Sequence, residues 1–470
     1  MKQILKKVYT VSKKAEKPRL WLQHILCESA GLSVGAPIYI SVNQEDEEII
    51  IQNQPISDDD HIVHVSSRLS KTSGNRRPLV DSAKEEYASI LSIKQKVEMC
   101  VYKKGTLSRI VVRPLHYKLM ETATVESPKD GRIRLLSVCA GSGVGTSCLV
   151  DTKYFTSVME IENDEDSSEV LKLNYPNSYL FNGDMRDCHE VVESDVALVT
   201  LPCTEHSSLG FQEGNVMNDL YLATAKIIAS SKSKIIFFEN VPAFYKSEGW
   251  HLLKSLLSEL YPYWHEKNIE SYDFGSISLR NRTYAIGFLD YEMFTQFSFP
   301  KAPNVRRRKL KDYLDGKDGK YEWKSLKTWM NNFKTRGSSW SNRSLDKTFV
   351  DGNCKQISCL AARYRSQSAS NTYVLSDDKQ SFRFLTESEI RRILRVPDWF
   401  EFCDHTPITR RYEMLGQSVS GEVIRAIGNS IAAVFMRQAL KKVSSVVSEV
   451  KQKVEHALSI DSKGQLELII

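Results

Sequence analysis

No run in this chain approaches the roughly 20 consecutive apolar residues that a membrane-spanning helix needs, so no such helix is expected. The N-terminal stretch MKQILKKVYTVSKKAEK has lysines but no apolar core, so it does not read as a secretory leader, and a cytoplasmic location is the expectation. Metal-knuckle spacing is missing as well. The nine cysteines (Cys27, Cys100, Cys139, Cys148, Cys188, Cys203, Cys354, Cys359 and Cys403) are scattered and odd in number. Cys354 and Cys359 lack matching His partners, so no metal site is expected, and most of the nine read as thiols that pack like small hydrophobes. There is no internal repeat. What the chain does have is 470 residues, 41% of them hydrophobic and 26% charged, which is enough for two or three globular domains with filled cores.

The net charge of +6 is modest but unevenly placed. Residues 301–350 hold 14 Lys and Arg against 5 Asp and Glu, a local +9, which leaves −3 on the other 420 residues. Arg306, Arg307, Arg308 and Lys309 start this segment, and Tyr321, Trp323, Trp329, Phe333 and Trp340 are interleaved with it. Basic and aromatic residues together suit contact with a phosphate backbone. A solvated linker with a charged face is the plain alternative.

Residues 1–130 are rich in short β-like runs with polar breaks, such as 36–42, 48–51 and 108–112. Residues 20–31 read as a short helix with a glycine stop, and 127–131 as a loop at a domain boundary. From 132 to about 291 the pattern becomes strand–helix alternation. Strand-like runs fall at 133–139, 156–160, 178–181, 195–200, 234–238 and 282–288, with helical patterns such as 167–174 and 218–230 between them. That alternation predicts an α/β fold with a mostly parallel sheet covered on both faces. Residues 300–380 lose it. Helical patterns return at 386–394 and 421–440, and a weakly amphipathic helix is expected over 443–458.

In such sheets the carboxyl ends of the strands face the ligand crevice. The first strand ends in Cys139-Ala140-Gly141-Ser142-Gly143-Val144-Gly145, a turn whose glycines let backbone approach a ligand. Glu160 closes the second strand and suits ribose hydroxyls; it could equally be one surface acid among several. Asp184 closes the third and suits an adenine amino group; its plain reading is a helix N-cap. Pro202-Cys203 follows one buried-looking strand and Glu239-Asn240-Val241 another. A lone Cys is more often a core thiol, but after a proline at a strand end it is exposed enough to ionise. A thiol and a carboxylate at two such ends can act as nucleophile and proton partner. Arg280 and Arg282 alternate before the last strand, so both guanidiniums are expected on one face, in the same pocket.

The order of these pieces resembles the cytosine-C5 methyltransferase family: glycine turn, ribose acid, adenine acid, Pro-Cys, Glu-Asn-Val and Arg-x-Arg. A recognition region follows, and a C-terminal segment returns through 383–389 and Leu415-Gly416-Gln417-Ser418-Val419. The resemblance covers about residues 131–440. It implies a Rossmann-like sheet that binds S-adenosylmethionine, in a DNA-methylating enzyme of the restriction–modification kind. Cys139, Ala140, Gly141, Ser142, Gly143, Gly145, Glu160, Ile161, Asp184, Met185, Pro202 and Ser418 would hold the cofactor. Cys203, Glu239, Arg280 and Arg282 would carry catalysis on a cytosine flipped out of double-stranded DNA. Asn240, Arg306, Arg307, Arg308 and Lys309 would contact nucleic acid. The implied division is 131–299 with 381–440 as catalytic domain, 300–380 as a small recognition lobe that reads a short target, and 441–470 as a tail helix.

The sequence departs from the family pattern at Ser137, Cys139, Thr200-Leu201, Thr204-Glu205-His206-Ser207, Ser278 and Gln417. A divergent but active enzyme is therefore expected. Residues 5–55 look like the small swapped-hairpin barrel of SymE-like regulators, so 1–125 is expected to be a β-rich accessory module that binds nucleic acid or forms a homodimer. Methylation of cytosine in RNA, or a catalytically silent DNA-binding regulator on the same fold, are the other readings left open here.

Overall fold

A computed structural model describes the chain except for residues 58–59, 71–72, 116–121, 128, 203–216, 317–320, 336–344, 367, 461–465 and 469–470. Its first region contains β1 (Lys2–Thr10), β2 (Ser12–Lys14), β3 (Lys17–Leu22), α1 (His24–Ser29), β4 (Pro37–Asn43), β5 (Glu48–Gln52), β6 (His61–His64), β7 (Ser66–Leu69), β8 (Arg76–Ala83), β9 (Lys96–Lys104), β10 (Leu107–Pro114) and β11 (Ala123–Val125). The alternating region follows with β12 (Ile133–Val138), α2 (Val144–Asp151), β13 (Phe155–Glu162), α3 (Glu165–Asn174), β14 (Tyr179–Asn182), β15 (Glu190–Val192), β16 (Val196–Val199), α4 (Met217–Ser231), β17 (Ile235–Asn240), α5 (Glu248–Leu257), β18 (Tyr263–Glu270), β19 (Asn281–Phe288) and α6 (Tyr291–Gln296).

The catalytic-region strands lie in the order β18-β19-β17-β16-β12-β13-β14. β12, β13, β14, β16 and β17 run parallel, and β19 is antiparallel to both of its neighbours. All four residues of β16 and all six of β17 are buried. Strands covered by helices on both faces need such unbroken apolar runs. The six expected strands agree with the sequence pattern at their ends to within a few residues, whereas β15 and β18 lie where the pattern shows no strand.

The N-terminal region does not stand apart. β1 pairs in parallel with β14, placing Leu5, Lys6 and Lys7 opposite Leu180, Phe181 and Asn182, while its other edge pairs with β9. One sheet of 13 strands thus runs on through β1-β9-β10-β5-β4-β6. The core follows the sheet: Leu171, Tyr175 and Leu180 of the catalytic region cluster with Leu5, Leu26, Ile40 and Val101. Both edges of β1 are taken within the chain, so the expected independent barrel with exchanged hairpins is not what these strands form. Residues 20–22, expected as the start of a helix, belong to strand β3, in which Pro18, Leu20 and Leu22 alternate with more exposed neighbours and 19–22 pair with β8; the helix begins only at His24.

Beyond α6, a small sheet of β20 (Lys324–Ser325), β21 (Phe349–Val350), β22 (Tyr373–Leu375) and β23 (Ser381–Arg383) carries α7 (Leu326–Thr335). Trp329 and Phe333, four residues apart on α7, stack at 5.1 Å and bury against Phe349. Two of the aromatics expected to touch nucleic acid are therefore core, as an i, i+4 apolar pair on an amphipathic helix should be. The chain returns through α8 (Glu387–Leu394), α9 (Ile408–Gln417) and α10 (Gly421–Ala457). Among the described residues no single helix is long and apolar enough to cross a membrane.

Candidate active site and cofactor cavity

The carboxyl ends of β12, β13, β14, β16 and β17 surround a cavity of about 540 Å³, within the usual range for small-ligand pockets. Its floor is the turn after β12. Cys139, Gly141 and Gly143 all have positive φ, so the chain reverses there within five residues. Gly143 has no room for a side chain: a Cβ would lie 2.6 Å from Leu171 and 2.8 Å from Tyr175. That close approach seats the start of α2 on α3. Cys139, Ala140, Gly141, Ser142 and Gly145 line the cavity, and Gly143 lies behind it. Burial, with Glu162 and Asp184 nearby, pushes the Cys139 thiol far up and so disfavours its thiolate.

The acid at the end of β13 needs correction. Glu160 is buried beneath α2, with Ser157 donating to its carboxylate at 2.5 Å and Thr146 at 3.4 Å, and it does not reach the cavity. Burial raises its pKa to about 8 against the hydroxyl hydrogen bonds that lower it. Glu162, two residues further along, lines the cavity instead, accepting from the Gly141 N–H at 2.7 Å and the Asp164 N–H at 2.8 Å. The strand runs further than the sequence pattern suggested, and its last acid is the one at the edge. Ile161 also lines the cavity. Asp184 borders it while capping the turn Met185–Asp187 by accepting from the Arg186 N–H, so the cap reading describes its contact and its place at the cavity edge leaves it facing any ligand there. The Arg186 guanidinium beside it holds Asp184 below the ordinary carboxylate range. Met185, Pro202 and Ser418 complete the sequence-derived set at the cavity wall.

Glu239 and Arg282 meet here. Tyr284 of β19 lies opposite Glu239 of β17, and Arg282, two residues along, is on the same face. The Arg282 Nε stands 3.2 Å from Glu239 Oε1, an ion pair without hydrogen-bond alignment among the described residues. Burial raises the Glu239 carboxyl, while Arg282 and Arg280 pull it back. A buried acid with a raised pKa and one cation beside it can hold or share a proton.

Arg280 does not join them in the cavity. Its guanidinium donates to the carbonyls of Leu360, Gly416 and Ser418, stapling the returning segment to the sheet. Alternation fails as a guide because β19 begins at Asn281 and the chain before it pairs elsewhere: Ser278 bridges to Ile357. Asn240 borders the cavity, but its amide donates to the Leu201 carbonyl at 3.0 Å and so braces the approach to Pro202 rather than facing a nucleic acid. Cys203 and Thr204-Glu205-His206-Ser207 lie outside the described residues. Arg306 and Arg308 are exposed, whereas Arg307 lies 3.9 Å over the Tyr272 ring and Lys309 donates to Asn353 at 3.2 Å. Only part of that basic run is therefore directed to solvent.

Sequence reading missed the opposite wall. Arg410, Glu413, Met414 and Gln417 line the cavity from α9. Their i, i+3, i+4, i+7 spacing puts them on one helix face, but only Met414 is apolar, so hydrophobic periodicity does not single them out. Arg410 ties that helix to Asp164 and Asp166 at 2.7 and 2.9 Å. A wider hollow of about 780 Å³, bordered by Asp151, Arg395, Trp399 and Glu422, contains none of the sequence candidates.

Acids at two strand ends, a glycine turn and apolar walls from Leu198 and Val419 fit an adenosine-bearing cofactor. A family model described as C-5 cytosine-specific DNA methylase matches residues 133–433. The type II methyltransferase M.Bsp6I of Bacillus sp. strain RFL6 is 26% identical over 317 residues, covering 64% of this chain and 98% of that protein. M.BsuFI of Bacillus subtilis is 23% identical, covering 66% and 76%. Among solved structures, the methyltransferase EhMeth of Entamoeba histolytica superposes with a TM-score of 0.52 at 16% identity, over 64% of this chain and 98% of its own. Dnmt2 of S. pombe gives 0.51 at 15%, over 65% and 99%.

Proposed function

The chain belongs to the C-5 cytosine-specific DNA methylase family, and on that premise we propose how its residues share the work. The enzyme methylates carbon 5 of cytosine in DNA with S-adenosylmethionine as donor. The observation that carries the assignment of roles is the Glu239–Arg282 pair opening into the same cavity as the glycine turn.

The turn 139–145, Glu162 and Asp184 hold the cofactor, with Glu162 in the place the sequence reading gave to Glu160. The bound cofactor supplies an electrophilic methyl group on a sulfonium. Cys203 adds as thiolate to ring carbon six, forming an S–C bond and pushing an electron pair toward carbon five. Glu239 holds a proton on the ring nitrogen, so the pair is not driven into a ring anion. Arg282 steadies Glu239 and the base oxygen. The carbon-five pair would take the methyl as the sulfonium S–CH3 bond breaks to a neutral thioether; a base then removes the carbon-five proton, that C–H pair reforms the ring double bond, and the S–C bond breaks to return the Cys203 thiolate. Arg280 takes a positioning part, through the segment it staples. Residues 300–380, with Arg306 and Arg308 exposed, supply contacts to the duplex, and so small a lobe suits a short target. A cytoplasmic location goes with this reading.

Transfer of tritium from labelled cofactor tests it. Wild-type protein is expected to label duplex DNA and not tRNA, and Cys203→Ala is expected to label neither. Preferential labelling of tRNA, or undiminished labelling of DNA by Cys203→Ala, would overturn it.

A further inference from the structure

A row of side chains links the N-terminal region to the edge of the cofactor cavity. In the β1–β14 register Lys7 lies opposite Asn182, and in the β14–β13 register Asn182 lies opposite Glu162. Residues in one row of a parallel sheet project to the same face about 4.8 Å apart. Lys7, Asn182 and Glu162 therefore form a line from the appended strand to the cavity edge.

Hydrogen bonding gives that line a direction. The Lys7 ammonium is buried and donates to Asn182 Oδ1 at 2.7 Å, with Glu165 3.6 Å away. An ammonium can only donate, so it admits one orientation of the amide: oxygen toward Lys7 and NH2 away. The NH2 then meets the carbonyls of Glu162 at 3.1 Å and Asn163 at 3.3 Å, together with Ser168 Oγ at 2.8 Å. Those carbonyls stand at and just past the end of β13, where Glu162 is placed at the cavity with its carboxylate accepting from the Gly141 and Asp164 N–H groups. The next residue of β1 is equally close: a Cβ on Gly183 would lie 3.2 Å from Val8, so the backbone before Asp184 is seated against β1. Lys7 and Val8 both lie outside residues 133–433, so the family segment does not contain them.

We propose that Lys7 is a positioning residue for the cofactor: by fixing the Asn182 amide it holds Glu162 where it meets the ribose. The N-terminal region in this sense backs the cofactor site from behind its lining residues. The inference rests on the cofactor reading of the cavity.

Full-length wild type, Lys7→Met, Lys7→Gln and Asn182→Asp, titrated calorimetrically with S-adenosylhomocysteine and assayed at steady state, test it. Lys7→Met removes the donor at similar size, Lys7→Gln keeps an N–H donor, and Asn182→Asp keeps the partner of Lys7 but loses both N–H groups toward the loop. Lys7→Met and Asn182→Asp are expected to raise Kd and the KM for cofactor about tenfold, which is roughly 1.4 kcal/mol. Turnover at saturating cofactor and the KM for DNA should stay within about twofold of wild type, since a shift confined to the ground-state complex is uniform binding lost. Lys7→Gln should recover part of the affinity. Cofactor affinity unchanged in Asn182→Asp, or in Lys7→Met whatever its melting temperature, would overturn the inference, and so would a fall in kcat at unchanged KM. Wild type failing to bind S-adenosylhomocysteine would remove the cofactor reading itself, a result distinct from equal binding by wild type and variants.

Discussion

Glu160 and Glu162 point to the same face of β13, and depth along the strand is what separates them. Glu160 sits under the first turn of α2 with a carboxyl shifted up to about 8, whereas Glu162 emerges at the edge beside Gly141. A folded-state pKa above the unfolded one means the native protein binds that proton more tightly, so the stability it contributes is full at low pH and fades as pH rises from about 4.5 to about 8. Glu160→Gln keeps a neutral hydrogen-bonding group there. Urea midpoints should therefore fall more steeply with pH for wild type than for Glu160→Gln across that window, and parallel curves would count against a protonated Glu160. At the chemical centre, Glu239→Gln should lower kcat by about 10²–10⁴-fold, the usual contribution of a positioned proton partner, while cofactor affinity measured by calorimetry is kept. The sequence made Glu239 and Arg282 visible because each stands at or next to the end of a strong strand signal. It hid the choice between Glu160 and Glu162, since both lie on one face and only the strand's true end, at residue 162, separates them.

Whole elements depend on contacts from afar. The returning segment is held by Arg280, whose guanidinium serves three carbonyls, and by the Arg410 bridges from α9 to the N-terminal end of α3. Replacing Arg280 by Met would leave buried carbonyls unpaired, at roughly 1–3 kcal/mol for each such group. The variant should lose stability in denaturant titration and also show a raised KM for cofactor, because α9 walls the cavity. A stability loss with unchanged KM would confine Arg280 to holding the fold. Alternation along the chain suggested Arg280 as a pocket residue. The rule applies inside a strand, and the chain at Ser278 has already changed partners to Ile357. The aromatics of α7 teach the same lesson: Trp329 and Phe333 were read as a surface, and their own helical spacing made them core.

At the scale of the molecule, the appended N-terminal strands and the catalytic sheet share one ladder and one core. Several short β runs there were legible from alternating apolar residues. The joining strand β1 was not, because Lys6 and Lys7 interrupt it, and partners far away in sequence, Glu98 and Glu190 for Lys6 and Asn182 and Glu165 for Lys7, make those lysines tolerable inside. Deleting residues 1–114 would bare the edge of β14, and exposed flat edges invite pairing with other chains. The deletion is expected to aggregate on size-exclusion chromatography, and a soluble monomer that binds S-adenosylhomocysteine normally would contradict a shared sheet. Covalent catalysis by Cys203 is the claim on which the rest depends, and one measurement reaches it directly. A duplex carrying 5-fluorocytosine at the target, mixed with full-length protein and S-adenosylmethionine, cannot lose a proton from carbon five after methyl uptake, so the S–C bond should persist. Mass spectrometry should find a denaturation-stable protein–DNA adduct mapped to Cys203, absent from Cys203→Ser. An adduct at another residue, or none with duplex that is methylated normally when unfluorinated, would contradict it.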